Sequence, residues 1–233
     1  MNTNRQIPAS DSSRSISNGV KHLQAIMFDA DGTVLDTREL VFAAFEHVMT
    51  GHGYAMPPIA EIAKFGGRPT EETYAHFAKN HNNIELRNKH REFQETHLEL
   101  FDAYEGFDDM VAVLKQAGLK VGMCTNRASN VITLLEHLGM HEHFDAVVHA
   151  DMVSSFKPDP EGFLKLCKEL DVEPSASVMV GDTEADIGAG KVAGAAFTIG
   201  LTHGLGTREL LESEGADYVV DHLSEILPII LKH

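Results

Sequence analysis

Two carboxylates lie two residues apart in the segment Phe28-Asp29-Ala30-Asp31-Gly32-Thr33, which closes a short apolar run. Further polar groups follow later apolar runs: Thr125-Asn126, then Lys157-Pro158, then Gly181-Asp182-Thr183 with Asp186 close behind. Asp29, Asp182 and Asp186 are hard oxygen ligands that repel one another unless a cation holds them together. Mg²⁺ suits a site of few carboxylates completed by water and a substrate phosphate. Lys157 adds an ammonium group. Thr125 and the backbone N–H groups near Gly32 and Asn126 are donors for anionic oxygens. A divalent metal, a lysine and such donors make a phosphoryl-binding site. Asp29 and Asp31 then need separate roles. One carboxylate attacks phosphorus as a nucleophile, and the other protonates the leaving oxygen and later deprotonates a water. Neighbouring like charges push paired pKa values apart, as that division requires.

Taken singly, each motif has a plainer reading. Asp-x-Asp-Gly is a common turn or helix entry. Thr-Asn and Gly-Asp-Thr-x-x-Asp can each cap a helix, and Lys-Pro reads as surface. Together they point to one site, because each lies at or near the exit of an expected strand. Parallel α/β sheets bind ligands beyond the C-terminal ends of their strands.

The elements that must position these residues are legible as alternating segments. Short apolar runs span Leu23 to Asp29, Leu119 to Thr125, Phe144 to Ala150, Ser177 to Asp182, Ala195 to Gly200 and Ala216 to Val220. Such runs suit strands buried on both faces. Helix-like segments separate them: Asp108 to Gln116, Ser129 to Leu138, the stretch after Pro160, Glu184 to Val192, Thr207 to Glu212 and Ser224 to Leu231. The alternation predicts an α/β fold, a Rossmann-like parallel sheet with helices on both faces. Residues 37–104 break it, reading as helices over Arg38 to Thr50, Ile59 to Lys64, Thr70 to Asn80 and Ile84 to Tyr104, punctuated by Gly and Pro. The expected organisation is a flexible tail at 1–20, a catalytic core formed by 21–36 and 105–233, and an inserted helical cap at 37–104.

Composition bounds the function. Nineteen Lys and Arg against 35 Asp and Glu give a net charge of −16 over 233 residues. So acidic a surface repels nucleic acid and sits uneasily with an anionic substrate, unless a cation gathers the site carboxylates. No apolar run approaches the roughly 20 residues that span a bilayer, and the first residues lack the apolar stretch of a secretory signal. Cys124 and Cys167 are the only cysteines, which suggests no disulfide framework. A cytoplasmic protein with no membrane or nucleic-acid partner is the expectation.

At this point the chain resembles the haloacid dehalogenase superfamily of hydrolases. Phe28 to Thr37 (FDADGTVLDT) is similar to the first motif of that family. Cys124 to Asn126, Phe156 to Phe163 and Gly181 to Asp186 resemble the second, third and fourth. A helical cap directly after the first motif resembles the branch that holds phosphoglycolate phosphatases, β-phosphoglucomutases, phosphonatases and pyrophosphatases. The resemblance implies Asp29 as the nucleophile forming an aspartyl-phosphate, and Asp31 as general acid/base with its backbone carbonyl on Mg²⁺. It implies Thr125 and the Asn126 N–H as phosphoryl donors and Lys157 as the neutralising cation. Asp182 and Asp186 complete the metal set of Asp29, Asp31, Asp182 and Asp186. An acid at position 31 favours phosphate esters over carbon–halogen or phosphorus–carbon cleavage.

The expectation is therefore a Mg²⁺-dependent phosphatase acting on a small phosphorylated metabolite, similar to phosphoglycolate phosphatases. The alternatives are a phosphomutase of the β-phosphoglucomutase type, a pyrophosphatase or phosphonatase, and a non-catalytic binding protein of the same fold. Gly67 and Arg68 in the cap are candidates for substrate specificity, since glycine permits close backbone approach and arginine makes forked contacts with anions. Lys64 and His141-Glu142-His143 read as surface, and Cys124 as a buried thiol.

Overall fold

A computed structural model describes residues 22–233; the tail expected at 1–20 lies outside the described residues. The first strand, β1 (Ala25–Phe28), is buried throughout. Its side chains alternate between two clusters, Ile26 and Phe28 joining one, Ala25 and Met27 the other. The remaining sheet strands are β4 (Lys120–Cys124), β5 (Ala146–Val148), β6 (Ser177–Gly181), β7 (Phe197–Leu201) and β8 (Tyr218–Val220). They form a six-stranded sheet in the order β5-β4-β1-β6-β7-β8, and every neighbouring pair is parallel. Helices cover both faces. On one side lie α5 (Phe107–Gln116), α6 (Asn130–His137) and α10 (Ile226–Ile230). On the other are α7 (Glu161–Leu170) and α8 (Glu184–Ala193). A short α9 (Arg208–Ser213) connects β7 to β8. The chain leaves β1, builds β4 and β5 on one side and then returns through β6 on the other. This makes β1 the switch point, where ligands bind in such sheets.

Between β1 and β4 the chain forms α1 (Arg38–Gly51), α2 (Ile59–Ala63), α3 (Thr70–Phe77) and α4 (Asn83–Thr96). These helices share a small core of their own that includes Phe45, Val48, Met49, Tyr74 and Leu86. Two expected boundaries shift. The helix expected through Asn80 ends at Phe77, because Asn82 caps the next helix by accepting from the Ile84 N–H at 3.1 Å. The helix expected to reach Tyr104 ends at Thr96, followed by a tight turn at Leu98–Leu100. Asp102–Ala103 then forms β3, antiparallel to β2 (Leu35–Asp36). Pairing the entry strand with the exit strand satisfies backbone groups that a longer helix would leave apart. It also seats Phe101 in the sheet core. A two-stranded ribbon thus carries the chain into and out of the helical insertion. No helix among the described residues is long and apolar enough to cross a membrane.

Candidate active site

The strands end one residue before the polar groups, so the ladder delivers those groups to one edge. The Asp29 N–H continues the β1–β6 pairing by donating to the Val180 carbonyl at 2.9 Å, and the Thr125 N–H donates to Val148 at 3.0 Å. Asp182 follows β6 directly. Thr183 then caps α8: its N–H and hydroxyl donate to Asp186 Oδ2 at 3.0 and 2.7 Å. The other oxygen of Asp186 accepts from Lys157 Nζ at 2.5 Å. Asp186 therefore both caps a helix and serves the site, one oxygen for each.

Lys157 Nζ also lies 2.7 Å from Asp29 Oδ1 and donates to the Cys124 carbonyl at 2.9 Å. The three side chains are sealed from solvent, with Lys157 3% exposed, Asp29 9% and Asp186 0%. Carboxylate oxygens of Asp29, Asp182 and Asp186 lie within 4.8 Å of one another. One ammonium thus faces three buried carboxylates. Burial raises the Asp29 pKa to about 7; Lys157 opposes the rise and Asp186 adds to it. Burial, then the charges of Asp186 and Asp29, push Asp182 well above the ordinary carboxylate range. Burial works against the charged form of Lys157, yet the Asp186 and Asp29 carboxylates outweigh it and raise its pKa.

This donor set fits a divalent cation. Asp29 Oδ1 is buried and has no hydrogen-bond partner beyond its ion pair with Lys157. Asp182 is aimed by the Leu205 N–H, 2.7 Å from Oδ2, and by the Thr33 hydroxyl, 3.3 Å from Oδ1. A Cβ at Gly32 or Gly204 would collide with that carboxylate, so the backbone closes around it. Hard oxygens with uncompensated charge are the environment that Mg²⁺ or Ca²⁺ takes.

Asp31 stands outside the carboxylate cluster. Its carboxylate accepts three hydrogen bonds from Arg127: Nε to Oδ1 and Oδ2 at 3.0 and 2.9 Å, and Nη2 to Oδ1 at 2.6 Å. The Thr37 hydroxyl donates to Oδ1 at 2.5 Å. Burial alone would raise the Asp31 pKa, but the Arg127 charge and these hydrogen bonds hold it below the usual range. Asn126 uses its side chain as a tie: Nδ2 donates to the Gly67 carbonyl at 2.5 Å and to that of Lys157 at 3.1 Å, while Oδ1 accepts from the Lys157 N–H at 2.9 Å. Gly67 has φ +74, and a Cβ there would sit 3.1 Å from Thr183 Oγ1. The Arg68 guanidinium lies over the Phe65 ring, 5.8 Å from its centroid.

A cavity of about 220 Å³ separates the sheet edge from the helical insertion, with Asp29, Thr125 and Lys157 on one wall and Phe42, Arg68 and Arg91 on the other. That volume admits a small molecule. All the expected site residues reach this cavity except Asp186, which lies behind Lys157. Lys64 pairs with Glu61 on the surface, and His141–His143 is a short helical turn with no buried residue. Burial pushes the Cys124 thiol up to about 12, which makes it a poor nucleophile. The sequence reading gave no role to Arg127, Gln94, Thr37 or Thr33. Arg127 follows Thr125-Asn126 directly and could have been taken from that position; Gln94 carries no local signal.

A family model described as haloacid dehalogenase-like hydrolase matches residues 26–199. A pyrophosphatase PpaX of Bacillus cereus is 32% identical over 210 residues, covering 89% of this chain and 96% of that protein. Among solved structures, a hydrolase from Pseudomonas syringae aligns with a TM-score of 0.80 at 22% identity, over 90% of this chain and 98% of the other. A β-phosphoglucomutase from Clostridium difficile aligns with a TM-score of 0.76 at 22% identity and the same coverages.

Proposed function

The chain belongs to the haloacid dehalogenase-like hydrolases, and from that premise we propose that it is a Mg²⁺-dependent phosphatase of small phosphorylated metabolites in the cytoplasm. Residues 37–104 act as the cap over a core of 21–36 and 105–233. The observation that carries the reading is Asp29, buried beside Lys157 and two further aspartates at the floor of the cavity. An unprotonated Asp29 oxygen attacks phosphorus in line; Asp31, taking up a proton from water once it turns from Arg127, gives that proton to the leaving oxygen as its bond to phosphorus breaks. Water then attacks the aspartyl-phosphate, giving its proton to Asp31 and restoring Asp29. Thr125 and the Asn126 N–H donate to the phosphoryl oxygens, since the Asn126 side chain is committed to Gly67 and Lys157. Lys157 neutralises charge between Asp29 and the phosphoryl group.

Asp29, Asp182 and Asp186, with the backbone carbonyl of Asp31, would hold Mg²⁺. When bound, the ion offsets the charge of the carboxylates and of the phosphoryl oxygens. The tight cavity and the buried cluster favour reaction away from bulk water. A second reading, hydrolysis of a phosphoanhydride, is favoured by the relative named pyrophosphatase.

The test is phosphate release from phosphoglycolate, hexose phosphates and pyrophosphate, with Mg²⁺ and after chelation. Asp29→Asn should lower turnover by about 10³-fold or more with an unchanged circular dichroism spectrum. Near-normal turnover by that variant would remove Asp29 as nucleophile. Isomer formation without phosphate release would make the protein a mutase.

A further inference from the structure

Arg127 is a buried cation at the cavity wall, its side chain 6% exposed. Its partner Asp31 is looser, at 34%. The guanidinium is also held from the far side. Nη1 donates to Gln94 Oε1 at 2.7 Å, and the same oxygen accepts from Asn130 Nδ2 at 3.2 Å. Gln94 lies on α4 and contacts His90 at 3.0 Å, which in turn contacts the Tyr74 hydroxyl at 3.0 Å. This chain holds Nη1 of the guanidinium, while Nε and Nη2 donate to Asp31. The Asp31 carboxylate, which also accepts from the Thr37 hydroxyl, is the more exposed partner of the pair.

That arrangement sets two needs against each other. Asp31 must leave Arg127 to serve a leaving oxygen. A buried guanidinium stripped of its carboxylate is then left with unpaired donors, which is costly. A leaving group bearing its own oxyanion removes the conflict, because a forked guanidinium accepts phosphate or carboxylate as readily as Asp31. Of the other arginines around the cavity, Arg38 faces Asp36, Arg87 faces Glu71 and Arg91 faces Asp151, while Arg68 lies over the Phe65 ring.

We propose that Arg127 reads the leaving group: the preferred substrates carry a second anion there, which replaces the Asp31 carboxylate on the guanidinium and frees Asp31 to reach the leaving oxygen. The class comprises small phosphoanhydrides and phosphorylated acids. The inference rests on the assignment of phosphoryl transfer to Asp29 and Asp31 above.

The experiment compares kcat/KM for pyrophosphate and 2-phosphoglycolate with that for ethyl phosphate and p-nitrophenyl phosphate. The wild type should favour the first pair. Arg127→Met should reduce that preference by about 10- to 100-fold, the worth of a charge-assisted contact, and Arg127→Lys should restore part of it. Calorimetry with Mg²⁺ should show the same loss, methylenediphosphonate losing its advantage over methylphosphonate. Arg127→Lys carries the test should the Met variant fail to fold. A wild type inert on all four substrates sinks the phosphatase reading. Phosphate release with no preference between the pairs, or a preference unchanged in both Arg127 variants, overturns this inference alone. So does a preference lost in Arg68→Ala and retained in Arg127→Met.

Discussion

The two walls of the cavity are built on opposite terms. The sheet edge concentrates charge where water is absent: Asp182 and Asp186 are fully buried, Asp29 and Lys157 nearly so. Its backbone is pinned by parallel ladders on both sides of β1. The helical insertion has a small apolar core and buries two polar groups of α4, His90 against Phe45 and Tyr74 and Gln94 against Arg127. Two consecutive sheet-edge residues hold it through hydrogen bonds, Asn126 to Gly67 and Arg127 to Gln94. A neutral bond such as that of Asn126 is worth about 1 kcal/mol, and one from a charged group such as Arg127 about 1.5–3 kcal/mol. The difference teaches a division of labour. The ladder-pinned wall tolerates mutually repelling carboxylates, and the helical wall is joined to it by polar contacts.

The largest effect that would break this comparison is expected at Lys157. Lys157→Met leaves three buried carboxylates without their ammonium, and should cost about 3–5 kcal/mol in urea unfolding. A divalent cation should recover part of the loss. Lys64→Met, at a surface pair on the insertion, should stay within about 0.5 kcal/mol. If the two variants unfold at the same urea concentration, the sheet edge is not the charge-constrained wall.

The same contrast governs what could be read from sequence. The run ending in Met27-Phe28-Asp29 is legible because a strand buried on both faces has no polar position until it stops, and there the carboxylate appears. Thr125 and Asp182 follow the same rule. The β2–β3 ribbon has only two residues per strand and no periodicity to detect. Gln94 is harder still. A helix face that buries His90 and Gln94 lacks the apolar stripe by which burial is recognised. Its partner Arg127 lies 33 residues on, so the contact exists only once the insertion docks. Asp31 shows the limit of spacing arguments: an extended segment would aim it alongside Asp29, but it turns instead to Arg127 and Thr37.

A smaller effect sharpens the docking side of the comparison. Gly53 and Gly67 both have positive φ, +78 and +74, but a Cβ at Gly53 meets nothing within 4 Å. Alanine at either position pays backbone strain of about 1–2 kcal/mol. Gly67→Ala must also displace Thr183, so it should unfold earlier than Gly53→Ala and raise KM several-fold. Equal unfolding midpoints and equal KM values would mean that the Gly67 turn does not press on the sheet edge.

The smallest effect lies in the insertion itself and depends on pH. Gln94 Oε1 accepts from Arg127 and Asn130, so its amide nitrogen must face His90 Nε2. That ring nitrogen is therefore the acceptor, and Nδ1 carries the hydrogen toward the Tyr74 hydroxyl. Protonating Nε2 would set two donors against each other. Burial, then the charge of Arg127, lowers the His90 pKa from 6.5 to about 3. In the unfolded chain the ring takes up a proton near its ordinary value. Between those two values the unfolded state holds more protons, so stability is complete above about pH 6.5 and falls as pH drops toward 3. The loss from this residue should reach about 1.4 kcal/mol near pH 5.5. His90→Asn, which has no proton to gain, should show a shallower decline in urea midpoint between about pH 7 and pH 5 than the wild type. Parallel declines would show that His90 titrates alike in both states, and that α4 does not hold its ring against Gln94 and Tyr74.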